Sequence, residues 1–167
     1  MLSRIQEPGI MKIVSDARDL SAIKDSSIDV ILFFLSIHHI NGPSVKDSLA
    51  TLDSILQSAF TKLKKEGILI IAEPTLPTFL FYLETFSFYL VKGLLALKKV
   101  PMMFFYNASV LRKRVANNFG VPEDKINLTY LPIEGFVDPM GGSFPGLIKI
   151  PGWLCPTRYY LVKAVKN

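Results

Sequence analysis

The two histidines of the chain, His38 and His39, stand together at the end of an apolar run, Asp29-Val30-Ile31-Leu32-Phe33-Phe34-Leu35-Ser36-Ile37. Two acids end comparable stretches: Asp16 follows Ile10 to Val14, and Glu73 follows Ile68 to Ala72. Histidine titrates near neutrality, so either ring can take a proton from an acceptor group. In an extended segment neighbouring side chains face opposite ways, and only one of the pair can point at a pocket. His39, the farther out, is favoured as that base. The alternative is structural: one imidazole packs under the next helix and the other bonds backbone. Asp16 either accepts hydrogen bonds from a ligand or bonds its own loop backbone. Glu73 either lines a pocket or shapes the turn after it. No further His or Cys lies at ligand spacing, so no metal site is expected.

Those residues need a scaffold that brings strand ends together. The run from Asp29, rich in Ile, Val and Phe, reads as a strand buried on both faces of a parallel sheet. In open α/β sheets, ligands bind outside the carboxyl ends of the strands. Met1 to Gln6 reads as the tail of a helix stopped by Pro8-Gly9, and Ile10 to Val14 as a strand. Ser44 with Asp47 three residues on is a capping box. Leu49, Leu52, Leu56, Phe60 and Leu63 then recur at helical spacing, with Gly67 expected to close the helix in the left-handed conformation. Ile68 to Ala72 is the next buried strand, and strand–helix–strand in this order makes a right-handed parallel crossover. Ser109 is expected to cap a helix running to Phe119 with Gly120 as its stop. Ile126 to Ile133 is a strand, Gly135 to Pro156 a long Gly/Pro-rich loop, and Arg158 to Val165 the last strand.

Length and composition bound the rest. The 167 residues suffice for one domain with a core. Net charge is +5, a mild excess that gives no reason to expect nucleic-acid binding, and the Arg112-Lys113-Arg114 cluster reads as the solvated face of its helix. The single cysteine excludes an internal disulfide and fits a reducing compartment. Met1 to Pro8 has no apolar core of a secretory signal, so a cytoplasmic location is expected.

In sequence, Ser15-Asp16-Ala17, Leu20, Asp25-Ser26, Ile28-Asp29-Val30, His38-His39, Leu63-Lys64-Lys65-Glu66-Gly67 and Ile68-Leu69-Ile70-Ile71-Ala72-Glu73-Pro74 form an ordered set. Their order and spacing resemble the class I S-adenosylmethionine-dependent methyltransferases, in particular the small-molecule type 11 group. That group carries an Asp-Ala after the third strand, a Phe-Asp-Val entry to the fourth, a His-His exit, and a Leu-Lys-Pro-Gly-Gly turn before the fifth. Here Ile28 replaces the Phe, and Lys65-Glu66-Gly67 keeps only one glycine. The resemblance implies an α/β fold: a Rossmann-like methyltransferase sheet, mostly parallel, with an antiparallel last strand. It implies S-adenosyl-L-methionine as cofactor, with the Asp16 carboxylate on the adenine amine and the Ala17 N–H facing a ring nitrogen. The Phe34 carbonyl would lie near the methionine moiety, with the Phe34 side chain in the core, and His39 would act as base. The family's glycine-rich loop after its first strand and the acid that holds the ribose have no counterpart in these residues. Gly141-Gly142 is not followed by a helix start and cannot replace the loop. The resemblance therefore implies a single truncated domain, an incomplete sheet over residues 1–167, needing a missing N-terminal segment or a partner.

Residues 75–106 stand out as a hydrophobic helical insertion. Apolar side chains from Phe79 to Leu97 cover all sides of a helix, interrupted only by Glu84, Lys92 and the Lys98-Lys99 end. Such a helix must be buried, membrane-bound or partnered. Three readings are open: a lid over the substrate, a segment docked on a membrane surface, or a bilayer span, the last weakened by Glu84 and Lys92. The first two imply a small, hydrophobic or lipid-like substrate.

Overall fold

The computed structural model describes residues 16–99, 101–132, 136–137, 150–151 and 155–167. The expected helix tail before Pro8-Gly9, the strand Ile10 to Val14 and the Gly141-Gly142 pair lie outside the described residues. The elements run β1 (Ile28–Phe34), a 3-10 turn (Ile37–His39), α1 (Val45–Lys62), β2 (Leu63–Thr75), α2 (Thr78–Leu97), α3 (Ala108–Phe119), a second 3-10 turn (Glu123–Lys125), β3 (Asn127–Leu131), β4 (Phe136–Val137), β5 (Ile150–Pro151) and β6 (Arg158–Val165).

The main sheet is mixed and four-stranded, in the order β1-β2-β6-β3. β1 and β2 are parallel, while β6 is antiparallel to both neighbours, β2 and β3. Three strands thus share one direction and the last strand alone opposes them. Because that reversed strand is internal, two of the three ladders are antiparallel, and "mostly parallel" holds for strand direction but not for pairing. β4 and β5 form a separate short ladder inside the stretch expected to be a loop.

α1 starts where the capping box places it: Ser44 Oγ accepts from the Asp47 N–H at 3.1 Å and donates to Asp47 Oδ2 at 2.7 Å. Its apolar stripe buries Leu52, Ile55, Leu56 and Ala59, and Leu52 and Leu56 share one core cluster with Leu69 and Ile71 of β2. Each large aliphatic side chain buried there stabilises the fold by about 1.5–3 kcal/mol. α3 lies on the same layer through Leu111, Val115 and Phe119. Asp53 of α1 holds Arg114 in an ion pair and accepts from Asn118 Nδ2 at 3.0 Å. Arg114 therefore joins two helices, and Arg112 donates to the Glu123 carbonyl at 2.8 Å, so of the expected solvated cluster only Lys113 is fully exposed. Gly120 ends α3 at φ +63°, as expected, but the N-cap is Asn107, whose side chain accepts from the Ser109 N–H.

Two expectations fail near β1. Gly67 does not close α1, which ends at Lys62. The left-handed residue is Glu66, at φ +63°, inside an irregular start of β2. Gly67 is needed for space instead: a Cβ there would lie 2.8 Å from the Lys64 carbonyl oxygen and 3.2 Å from that of Ile28. β1 also differs from a strand buried on both faces. Ile31 and Phe33 pack on the core, whereas Val30, Leu32 and Phe34 are exposed on the opposite face. The reason is that both described helices packed on this sheet, α1 and α3, lie on one side of it.

Gly67→Ala should destabilise the protein by about 1–3 kcal/mol, the cost of overpacking against backbone. Thermal or urea unfolding monitored by circular dichroism checks it.

Candidate functional site

β1 and β2 deliver their carboxyl ends side by side, Phe34 opposite Ala72, and Glu73 follows on β2. Glu73 is 3% exposed. Its Oε1 accepts from the Ser36 N–H at 2.5 Å and the Ile37 N–H at 2.7 Å, and its Oε2 lies 2.6 Å from His38 Nδ1. The chain leaves β1 through Leu35, which takes φ +48°, and turns into the 3-10 segment. A non-glycine residue in that region is uncommon. The Glu73 bonds hold the turn that follows it.

The histidines are consequently not on opposite faces of an extended segment. They share one turn, with ring centroids 4.1 Å apart. His38 is buried, paired with Glu73 and stacked on Phe105 at 5.3 Å. His39 is exposed. Partial desolvation, and then the neighbouring His38, lower the pKa of His39, favouring the neutral ring that can accept a proton. Glu73 is thus a positioning carboxylate rather than a pocket-lining one, and its hold on His38 sets where His39 stands.

Asp16 lies on the surface before a turn. Arg18 donates to its carboxylate from the backbone N–H at 2.9 Å and from Nε at 3.0 Å, and the guanidinium holds Asp16 down to a pKa of about 2. Ala17 beside it is half-buried. Phe34 does not sit in the core: its side chain is 64% exposed on the open face of β1.

A second layer comes from residues 102–106, which cross behind the histidines. The Phe104 N–H donates to the His38 carbonyl at 3.0 Å, Asn41 Nδ2 donates to the Met102 carbonyl, and Tyr106 Oη donates to the Ser48 carbonyl at 3.2 Å. The other flank of this strap touches α2. Glu84 points inward and accepts from the Phe105 N–H at 3.3 Å, while its Oε2 has no hydrogen-bond partner among the described residues. Burial pushes this carboxyl up to about 7, against a partial offset from the Phe105 N–H. The sequence did carry that signal: Glu84 lies three residues after Phe81 and four before Phe88, both buried, so all three share one face. Where β2 ends, a cleft of about 260 Å³ is lined by Thr75, Thr78, Asn107, Ser109, Arg158 and Tyr160, among others.

No protein-family profile matches the sequence, and no curated protein matches it. Solved structures do. An S-adenosylmethionine-dependent methyltransferase assignment attaches to a Listeria monocytogenes protein that matches 99% of this chain with TM-score 0.57 at 13% identity. Geranyl diphosphate methyltransferase in complex with S-adenosylmethionine matches 93% with TM-score 0.53 at 10% identity. A Thermotoga maritima SAM-dependent methyltransferase matches 95% with TM-score 0.51 at 16% identity. The chain spans 73%, 57% and 65% of those proteins, in that order. At such identities the likeness shows a fold: this chain has, in part, the fold of SAM-dependent methyltransferases.

Two measurements test the site's electrostatics. The folded state keeps a proton on Glu84 that the unfolded chain loses above its ordinary value of 4.5. Stability should therefore be greatest below that value and fall as pH rises to about 7, by up to roughly 3 kcal/mol. Glu84→Gln should flatten this part of the pH profile in denaturant titrations. Glu73→Gln should cost about 1–3 kcal/mol, through poorer acceptors for two buried N–H groups and a disturbed His38. The histidine NMR resonances should shift in that variant.

Proposed function

We propose that this chain is part of an S-adenosylmethionine-dependent methyltransferase of the small-molecule type 11 kind, acting on a small hydrophobic acceptor. The observation that carries the proposal is the convergence of β1 and β2 on one rim, where buried Glu73 fixes the turn bearing His39. The partial methyltransferase fold supports it. Methyl transfer is an in-line displacement at an already activated sulfonium carbon, so positioning and exclusion of water supply much of the rate. The protein needs a base only for an acceptor that must lose a proton, and neutral, exposed His39 is suited to take it. When bound, the cofactor supplies the methyl group. The chain would meet it with Asp16 and Ala17 at adenine and the Phe34 carbonyl near the methionine end. Both oxygens of Asp16 already accept from Arg18, so the adenine amine would have to displace part of that contact.

The glycine-rich loop and ribose-binding acid have no counterpart among these 167 residues. Cofactor binding by the chain alone is accordingly weak, and the exposed face of β1 supports a second reading. In that reading the chain is a non-catalytic half that acts by pairing with another protein through Val30, Leu32 and Phe34.

Calorimetry with S-adenosylmethionine separates the two. Under the first reading, a segment carrying a glycine-rich strand–loop–helix restores binding to the chain. Asp16→Ala should then weaken it about tenfold, the worth of one hydrogen bond to a charged group. His39→Ala should lower turnover by about 10²–10⁴ with cofactor affinity unchanged. Micromolar binding by the chain alone would overturn the incompleteness argument. Failure of every such segment to restore binding would favour the non-catalytic reading.

A further inference from the structure

α2 is built inside out. Its inward stripe contains Phe81 and Phe88, but also Glu84, Thr85 and Lys92, the last donating to the Pro43 carbonyl at 2.8 Å. Its outward stripe is apolar from end to end: Phe79, Tyr82, Phe86, Leu90, Leu94 and Leu97 are all more than half exposed, Phe86 by 90%. An ordinary surface helix has the reverse arrangement. Among the described residues this is the one helix long and apolar enough to cross a membrane, yet only 11% of its apolar window is buried, so it is not a core helix either.

We propose that the outward face of α2 docks on the surface of an anionic lipid bilayer, with the helix lying in the interface and not crossing it. The proposal is independent of the methyltransferase reading. Charge selects the occupant. Glu84, the only acid of α2, is turned inward, whereas Lys98 and Lys99 stand exposed where the helix ends beside Leu97. The face therefore offers apolar area with two cations at its carboxyl end, which matches acyl chains beside anionic headgroups. A second copy laid on α2 would bring two lysine ends to a face with no carboxylate to meet them. Spanning is disfavoured by the inward flank: Phe88, 0% exposed, and Glu84, bonded to Phe105, hold one side of the helix against the domain. The exposed stripe is about 30 Å long, at 1.5 Å per residue over the 20 residues of the helix.

Flotation of the full chain with vesicles tests this. With phosphatidylcholine containing phosphatidylglycerol the protein should float, and added salt should reduce the floating fraction. Phe86→Glu, and separately Leu97→Glu, should abolish flotation without lowering the melting temperature, since both side chains are already outside the fold. Lys98→Gln with Lys99→Gln should weaken vesicle affinity on the order of 30-fold, two cations at about fivefold each. A protein that stays in the soluble fraction with anionic vesicles overturns the proposal. So does a wild-type dimer that ignores vesicles and that Phe86→Glu converts to a monomer, which would make the occupant a second copy.

Discussion

The site region hangs on one buried carboxylate. Glu73 has two oxygens and uses both, one for the backbone of Ser36 and Ile37 and one for the His38 ring. A buried carboxylate must be hydrogen-bonded, and these donors come from the chain that has just left the neighbouring strand. The parallel pairing of β1 with β2 brings the two ends together, and the carboxylate then dictates the turn. From that turn follow the left-handed backbone of Leu35, the orientation of His38 and the surface position of His39. The strap at 102–106 closes over the result, with Phe104 bonded to His38 and Phe105 stacked on its ring.

Local sequence rules were sufficient where a few neighbouring residues settle the matter. Ser44 and Asp47 cap α1, Gly120 stops α3, and the stripe through Leu52 and Leu56 faces the sheet. They failed where the deciding partner is distant. Gly67 has the type of a helix stop, but its absent side chain makes room for the Lys64 and Ile28 carbonyls, and Glu66 takes the positive φ. Ser109 resembles a cap, yet Asn107, two residues earlier, is the residue that caps the helix, and it also donates to the Leu76 carbonyl. The histidines looked like alternating strand residues because nothing within the apolar run announces a turn; the acid that bends it is 35 residues away. At the other end of the sheet, Lys166 donates to the Phe60 and Leu63 carbonyls and so satisfies the end of α1 from the far terminus.

Hydrophobicity alone was the least reliable guide to position. The Asp29 run and α2 are both strongly apolar, and each leaves one apolar face exposed. For β1 the cause is the one-sided sheet. For α2 it is the inward placement of the polar residues, which the spacing of Phe81, Glu84 and Phe88 already encodes. A run of apolar residues measures how much surface avoids water; periodicity among the few polar ones indicates which side faces the protein.

These two surfaces are joined by short covalent and hydrogen-bonded paths. Glu84 on the inward flank of α2 meets Phe105, and Phe105 stacks on His38, which adjoins His39 in the same turn. One flank of α2 is thus fixed to the histidine turn by this chain of contacts, and the opposite flank is apolar and exposed. The apolar face of α2 and the exposed imidazole then belong to one arrangement, in which the same element that leaves its hydrophobic side outside also supports the residues that hold His39 in place.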